Sequence, residues 1–439
     1  MKINLHYEKY RKDIIDIFRI FSKKDLEFGQ DGELEIFEDH ILSDSTLYFY
    51  SKLELKQILY KYFSQIYGSK SPWGIITGTK PQKLYMIHSE EELSKNYYIS
   101  TDKIDLLRNI SKEQEKFTYN KENLHLYVNI PFCPSRCSYC SFPTIIYTKN
   151  DRRSEYLNGL LYEIRALSAH IGDRLIRSVY IGGGTPTAFS YHQLEELLIA
   201  LKDSFDLRNL EEFTIEAGRE DSLDADKLAL MKEYGVTRIS INPQSFNPNT
   251  NELIGRRQDL GRLKDLYKLA RDMGFIVNMD LIIGLCGEDI KDVENSLDEI
   301  EQLMPHNLTI HTLSLKKGSK MVDKKLSLET EGNLIEDIVE YSYQRSTGMK
   351  YHPYYLYRQK EILGNYENIG YSLRGYDCLY NIVINEEVES ILGMGMTANS
   401  KLYCGDRLFK CTNYKNLDQY LSQLDQQINN KIKILNFGA

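Results

Sequence analysis

Between residues 124 and 315 the chain alternates short apolar runs with amphipathic stretches, and this alternation narrows the available folds more than any other feature. The runs are LHLYVNI (124–130), SVYIGG (178–183), EFTIEA (212–217), RISINP (238–243), VNMDLIIG (277–284) and NLTIHTLSL (307–315). Each has the length of a strand, and the segments between them, such as Tyr156–Ser168, His192–Phe205 and Asp289–Leu303, carry apolar residues at helical spacing. Six such units predict an α/β fold built on a parallel sheet, a partial (β/α)6 TIM-like barrel. Functional residues then belong at the C-terminal ends of the strands.

Residues 1–120 read as a small α/β domain, with a strand at Lys2–His6, a helix through Ile14, Ile17, Phe18 and Phe21, a strand at Leu47–Tyr50 and a helix to Tyr67. SPWGIITGTKPQKL (Ser71–Leu84) reads as an ordered loop, with Trp73 packing at a domain junction. The barrel is expected over 121–320, and a mixed α/β region over 321–439 is expected to close its mouth.

A chain of 439 residues suits two or three domains. No run has the apolar length of a membrane span, and charges throughout MKINLHYEKYRKDIIDIF do not resemble a signal peptide, so a cytoplasmic location is expected. Seven cysteines, an odd number, suit a reducing compartment better than a disulfide framework. A net charge of −8 argues against nucleic acid as the main partner.

The chemistry lies in IPFCPSRCSYC, where Cys133, Cys137 and Cys140 follow the first strand. Three thiolates can hold three corners of a four-iron cluster and leave one iron open to a small molecule. A structural zinc fits poorly, because such sites take four protein ligands and no fourth Cys or His lies just downstream. After the second strand, Gly182, Gly183, Gly184, Thr185 and Pro186 form a turn that lets backbone approach a ligand and lacks the lysine of a phosphate loop. Glu216, Gln244 and Asp280 stand at or near later strand ends, and Arg256 lies twelve residues beyond Gln244. Asp280 sits inside an apolar run and needs a partner there; a structural ion pair with Arg256 or Arg238 is the alternative to a ligand contact.

The C-x3-C-x2-C spacing, with Tyr139 before the last cysteine, resembles the radical S-adenosylmethionine (SAM) enzymes. With YIGGGTPT, IEAGRED, RISINPQSFN, IGRRQD and NMDLIIGLCGE, the chain is similar to the oxygen-independent coproporphyrinogen III oxidases and their relatives. WGIITGTKPQK (Trp73–Lys83) and the tyrosine-rich Tyr351–Ser372 resemble the HemZ-type members. The resemblance implies a [4Fe-4S] cluster on Cys133, Cys137 and Cys140, and one or two SAM molecules on Tyr127, Gly183, Gly184, Glu216, Gln244, Arg256 and Asp280. It implies a 5'-deoxyadenosyl radical, the conversion of coproporphyrinogen III to protoporphyrinogen IX, and a reducing donor such as a flavodoxin or ferredoxin.

Four substrate carboxylates would call for cations, and Arg219, Arg358 and Arg374 are candidates beside the reading that they are solvated surface arginines. Tyr351, Tyr354, Tyr355 and Tyr357 face a flat macrocycle or pack between domains. Departures from the oxidase pattern are Phe142, where oxidases carry a further cysteine and haem chaperones do not, Asn129, Cys286 and GMGMTANS (Gly393–Ser400). A haem-binding chaperone, or an anaerobic radical SAM enzyme that modifies haem, are the alternative readings.

Overall fold

The computed structural model describes the chain except residues 23, 31, 44, 45, 79, 150, 315–331 and 437–439. Two compact units result: residues 1–112 with Leu356–Glu367, and residues 113–355 with Asn368–Ala439.

The larger unit is organised by an 11-stranded sheet. Its first six strands are β1 (Leu124–Ile130), β2 (Ile176–Gly183), β3 (Glu212–Glu216), β4 (Arg238–Ser240), β5 (Ile276–Ile283) and β6 (Asn307–Thr312). They lie side by side in chain order, every pairing parallel. Strands in such a sheet are covered on both faces, and β1 accordingly is buried at six of seven positions. The crossovers carry α1 (Arg153–Ser168), α2 (Tyr191–Ser204), α3 (Ala225–Glu233), α4 (Pro248–Leu253), α5 (Leu260–Asp272) and α6 (Ile290–Leu303). Local chemistry starts these helices: Ser190 and Gln193 form a capping box on α2, Asp289 and Asp292 one on α6, and Asn247 caps α4 ahead of Pro248. The described pairings leave β1 and β6 unjoined, so the α/β repeat makes a partial barrel.

Both edges of the six-strand array are extended by later chain: β7 (His352–Tyr357) and β8 (Asn368–Ser372) beyond β6, and β9 (Ser390–Met394), β10 (Asn399–Cys404) and β11 (Arg407–Thr412) beyond β1. β9 pairs parallel to β1, with Ser390 opposite Leu124 and Met394 opposite Val128, and so adds a seventh parallel strand. After α7 (Gly332–Gly348), three further helices complete the unit: α8 (Leu379–Glu386), α9 (Leu417–Ser422) and α10 (Leu424–Asn436). The α8 N-terminus is held by the Glu212 carboxylate, which accepts from Leu379 N at 3.1 Å, Tyr380 N at 3.4 Å and Cys378 Sγ at 3.1 Å. A negative charge at that end complements the helix dipole. The residue 315 end of the sixth expected strand lies outside the described residues.

The smaller unit has a five-stranded sheet in which Lys2–Leu5 runs parallel to Glu27–Phe28 and to Leu34–Ile36, with His40–Ser43 and Thr46–Phe49 antiparallel beyond. Helices Arg11–Phe18 and Lys52–Tyr67 cover it through Ile14, Ile17, Phe18, Leu55, Leu59 and Phe63. Glu27–Phe28 and Leu34–Ile36 are too short to show a period in the sequence. The end of the expected Ser71–Leu84 loop is helical, Pro81–Tyr85, with proline at its first position. Trp73 is fully buried in this unit and donates its Nε1–H to Glu367 at 2.7 Å, where Lys103 pairs with the same carboxylate at 2.7 Å.

Candidate active site

Strand alternation sends every second residue of the six strands to one face. Toward the C-terminal ends that face presents Tyr127 and Asn129 from β1, Tyr180 from β2, Glu216 from β3, Asp280 from β5 and His311 from β6. Asn242 follows β4. These side chains bond to one another: Tyr127 O–H donates to Asn129 Oδ1 at 3.0 Å, Tyr180 O–H to Glu216 Oε1 at 2.7 Å, and Asn242 Nδ2 to Asp280 Oδ2 at 2.8 Å. Asn278 Nδ2 reaches the other Asp280 oxygen at 2.8 Å, and His311 Nε2 lies 3.7 Å from Oδ2.

The glycine turn runs straight into this layer. Gly183 donates its N–H to Glu216 Oε2 at 3.1 Å and holds φ +116, where a side chain is strained and where an added Cβ would stand 2.3 Å from Asn129 Oδ1. An added Cβ on Gly184 would lie 2.7 Å from Phe132 O and 3.1 Å from Cys133 Sγ, so glycine is what allows the turn to lie against the cysteine loop.

That loop is anchored at several points. Phe132–Cys133 pairs with Ile145–Ile146, Gly184 N–H donates to Ile130 O at 2.8 Å, Ser138 N–H to Ile254 O at 2.8 Å, and Cys133 Sγ lies 3.4 Å from Thr185 Oγ1. Cys133 and Cys137 are buried and Cys140 is half-buried, all three as free thiols. Among the described residues the only His, Cys, Asp and Glu donor atoms that converge within 4.8 Å as a group of three or more belong to Glu113, His352 and Asp377. Sulfurs around one tetrahedral zinc at ~2.3 Å would sit roughly 3.8 Å apart, and the three cysteine sulfurs do not all lie within 4.8 Å of one another. Three cysteines on one loop, with no fourth His or Cys in the run from Cys133 to Cys140, are the donor set that holds three corners of a four-iron cluster and leaves one iron open.

Charge is arranged to suit. Burial pushes the Cys133 thiol up to about 11 against the Thr185 hydrogen bond, and burial raises Cys140 as well, so loading a cluster releases protons. Two buried guanidiniums stand by: Arg219, with Nη1 3.7 Å from Cys137 Sγ, and Arg256, whose Nη2 donates to Asn242 O at 2.7 Å and to Gly218 O, and whose Nε donates to Gln258 at 2.9 Å. On the inner face, burial lifts the Glu216 carboxyl to about 7, with the Tyr180 hydrogen bond opposing and the Asp280 charge adding to the rise. Burial also pushes Asp280 upward, but hydrogen bonds from His311, Asn278 and Thr309 outweigh it and hold the group below the usual carboxylate range. Thr214 Oγ1 and Asn242 Oδ1 are buried without a hydrogen-bond partner among the described residues, as acceptors waiting for a polar ligand would be.

Of the residues singled out in the sequence, Gly183, Glu216 and Asp280 converge on this layer, and Arg256 joins it through Asn242. Gln244 joins through its backbone, at φ +64, exchanging hydrogen bonds with Asp280 O and Ile282 N. It also lines a small cavity with Leu281, Ile283, Glu288, Ser296 and Ser342. The Tyr127 ring is stacked 6.0 Å from Tyr380, which lies 4.4 Å from Tyr180. The ion pair considered for Asp280 does not form with either arginine: Arg238 pairs with Glu212 at 3.2 Å, and Asp280 is satisfied by Asn242 and Asn278. Asn129 stands in the sequence only as a departure from the oxidase pattern, and Tyr180, Asn242 and His311 carry no signal of their own there, although each is an inward polar position within an expected strand.

Two of the three arginines proposed for substrate carboxylates are occupied. Arg219 is paired with Asp221 at 2.5 Å, and Arg358 is buried in the smaller unit on Ile76 O at 2.6 Å and Asn365 O at 2.9 Å. Arg374 is exposed. Tyr351, Tyr354 and Tyr355 are buried; Tyr351 donates to Pro305 O at 2.5 Å, and the Tyr355 ring fills the space over Gly370. These three pack inside the fold, and Tyr357 is half-buried.

The radical SAM superfamily profile matches residues 127–300. The oxygen-independent coproporphyrinogen-III oxidase-like protein HemZ of Bacillus subtilis (strain 168) is 38% identical over 395 residues, 84% of this chain and 78% of its own length. The oxygen-independent coproporphyrinogen III oxidase of Salmonella typhimurium is 32% identical over 193 residues, 44% of this chain and 42% of its own. The haem chaperone HemW of Bacillus subtilis (strain 168) is 35% identical over 192 residues, 43% and 49% respectively. Among solved structures, coproporphyrinogen III oxidase (HemN) from Escherichia coli superposes with a TM-score of 0.59 at 23% identity, covering 74% of this chain and 73% of that one, which shows a shared fold. No helix among the described residues is long and apolar enough to cross a membrane. With a cluster-spaced cysteine loop set against a glycine turn at the strand ends, and a relative matched over most of its length, this chain belongs to the radical SAM superfamily and, within it, to the coproporphyrinogen oxidase-like family of enzymes.

Proposed function

We propose that the protein is a radical SAM oxidoreductase that converts propionate side chains of coproporphyrinogen III to vinyls. The observation that carries this reading is the match to a coproporphyrinogen-III oxidase-like relative along 84% of the chain, with the cysteine loop, glycine turn and Glu216 in contact at one end of the sheet. Cys133, Cys137 and Cys140 would hold the cluster, and the cluster with SAM supplies a hydrogen-abstracting radical when bound. The chain's own residues do the rest. The Gly183–Gly184 backbone and the carboxylates of Glu216 and Asp280 offer acceptors to an ammonium and to hydroxyls, and the buried Arg256 guanidinium adds positive charge for a carboxylate. The stacked Tyr127, Tyr380 and Tyr180 rings fill the floor below and exclude water from the reacting face. For each propionate, one hydrogen atom leaves the carbon beside the ring, carbon dioxide departs, and one electron passes to a one-electron acceptor, leaving a vinyl group.

Phe142 favours a second reading. It stands two residues after Cys140 and is 65% exposed, where the oxidases carry a cysteine, and the HemW chaperone of Bacillus subtilis is 35% identical over 43% of the chain. An anaerobic assay of the reconstituted protein with SAM, dithionite and coproporphyrinogen III, read by mass spectrometry, separates the two. Formation of 5'-deoxyadenosine with loss of two carboxyl groups, both abolished by Cys137→Ala, supports the decarboxylase. 5'-Deoxyadenosine with intact substrate overturns it, and stable haem binding then supports the chaperone.

A further inference from the structure

The geometry points to Arg219 as the residue that sets the reduction potential of the cluster, by directing an N–H at the Cys137 sulfur. The inference rests on the reading of the three cysteines as cluster ligands. Arg219 lies just past the end of β3 and is 5% exposed. Its Nε and Nη2 fork onto Asp221 at 3.0 and 2.5 Å, and Nη2 also donates to Ser135 Oγ, in the cysteine loop, at 3.1 Å. A two-point carboxylate contact fixes the plane of a guanidinium. With that plane fixed, Nη1 is left aimed at Cys137 Sγ, 3.7 Å away.

Asp221 lies toward solvent, with its side chain 35% exposed against 6% for Arg219, so water screens the anion more than the cation. A net positive field and an N–H donor therefore act on the cysteine sulfur from a buried position. Reduction adds one electron to the cluster, and both effects stabilise the more negative state more than the oxidised one, which raises the potential. Arg256 does not duplicate this: its donors end on Gln258, Gly218 O and Asn242 O, so it contributes charge without a bond to sulfur. Arg219 acts through the Cys137 sulfur and is a positioning residue.

The test is a dithionite redox titration of the full-length reconstituted protein without SAM, followed by electron paramagnetic resonance of the reduced cluster, in wild type, Arg219→Met, Arg219→Gln and Arg219→Lys. Both neutral variants are expected to be about tenfold harder to reduce at a given potential, about 59 mV for one electron, at unchanged iron and sulfide content. Arg219→Lys restores part of the shift, because it returns the charge without the planar donor. A wild-type potential in either neutral variant with a full cluster overturns the inference. If the wild type takes up no four-iron cluster, the cluster reading itself falls, a result visible in the iron content before any titration.

Discussion

Lys431→Met tests how the seventh parallel strand is fastened to the barrel. Glu163 on α1 and Lys431 on α10 are both fully buried and pair at 2.6 Å. The Glu163 carboxylate also accepts from Asn413 Nδ2 at 2.9 Å, Gly395 N at 2.7 Å and Tyr420 O–H at 2.7 Å, while Lys431 donates to Gly393 O at 2.6 Å. One ion pair thus ties α1, α10 and the β9 strand. Replacing the ammonium by a thioether of similar length keeps the packing and strands a buried carboxylate, a change that costs ~3–5 kcal/mol. Three donors remain on Glu163, which places the expected loss near the lower end, about 3 kcal/mol. Burial pushes the Glu163 carboxyl up, but Lys431 and the other donors together hold it below its ordinary value of 4.5. In the wild type its contribution is therefore full above pH 4.5 and is lost as pH falls through the lower folded value. Lys431 is the largest of the causes that lower the carboxyl, so without it the folded value rises and the loss of stability on acidification from this site shrinks. Urea unfolding followed by far-UV circular dichroism at pH 5 and pH 8 reads both effects, and hydrogen exchange along Ser390–Met394 localises them. Glu163→Gln combined with Lys431→Met should recover all but about 1 kcal/mol. A loss under ~1 kcal/mol in the single variant, or a double variant no more stable than it, refutes the argument.

Further outcomes follow from the same contacts. Gly184→Ala pushes a methyl into Phe132 O and Cys133 Sγ, so cluster content after reconstitution should drop severalfold while far-UV circular dichroism stays as in wild type. Trp73→Phe removes a donor from buried Glu367 and should destabilise the smaller unit by about 1–3 kcal/mol, measured by urea unfolding with hydrogen exchange over Lys52–Tyr67. Because the folded Glu216 carboxyl is raised to about 7, its contribution to stability is full below its ordinary 4.5 and is lost as pH rises through 7; Glu216→Gln should flatten the pH dependence of thermal unfolding between pH 5 and 8. A Glu216→Gln profile as steep as wild type would show that another group titrates there.

Local signals located the six strands, the helices between them and the cysteine loop, because apolar period, caps and ligand spacing are written within a few residues of each other. The strand expected at 178–183 spans Ile176–Gly183, and the helix expected at Asp289–Leu303 spans Ile290–Leu303, since both rest on such local signals. Only tertiary structure decided which distant segments complete that frame. Ser390–Met394 lies beside Leu124–Ile130, and Leu356–Glu367 belongs with the smaller unit. Neither shows in a window of sequence, because a strand's period names its buried faces and not its neighbour. The roles of Arg219 and Arg358 divided in the same way: as letters both are cations available to an anionic substrate, and what they do depends on partners that folding supplies. Asp221 and Cys137 claim one, and the Ile76 carbonyl, far along the chain, claims the other. A charged group's function is set by the dielectric and the hydrogen bonds around it, and those are properties of the assembled fold.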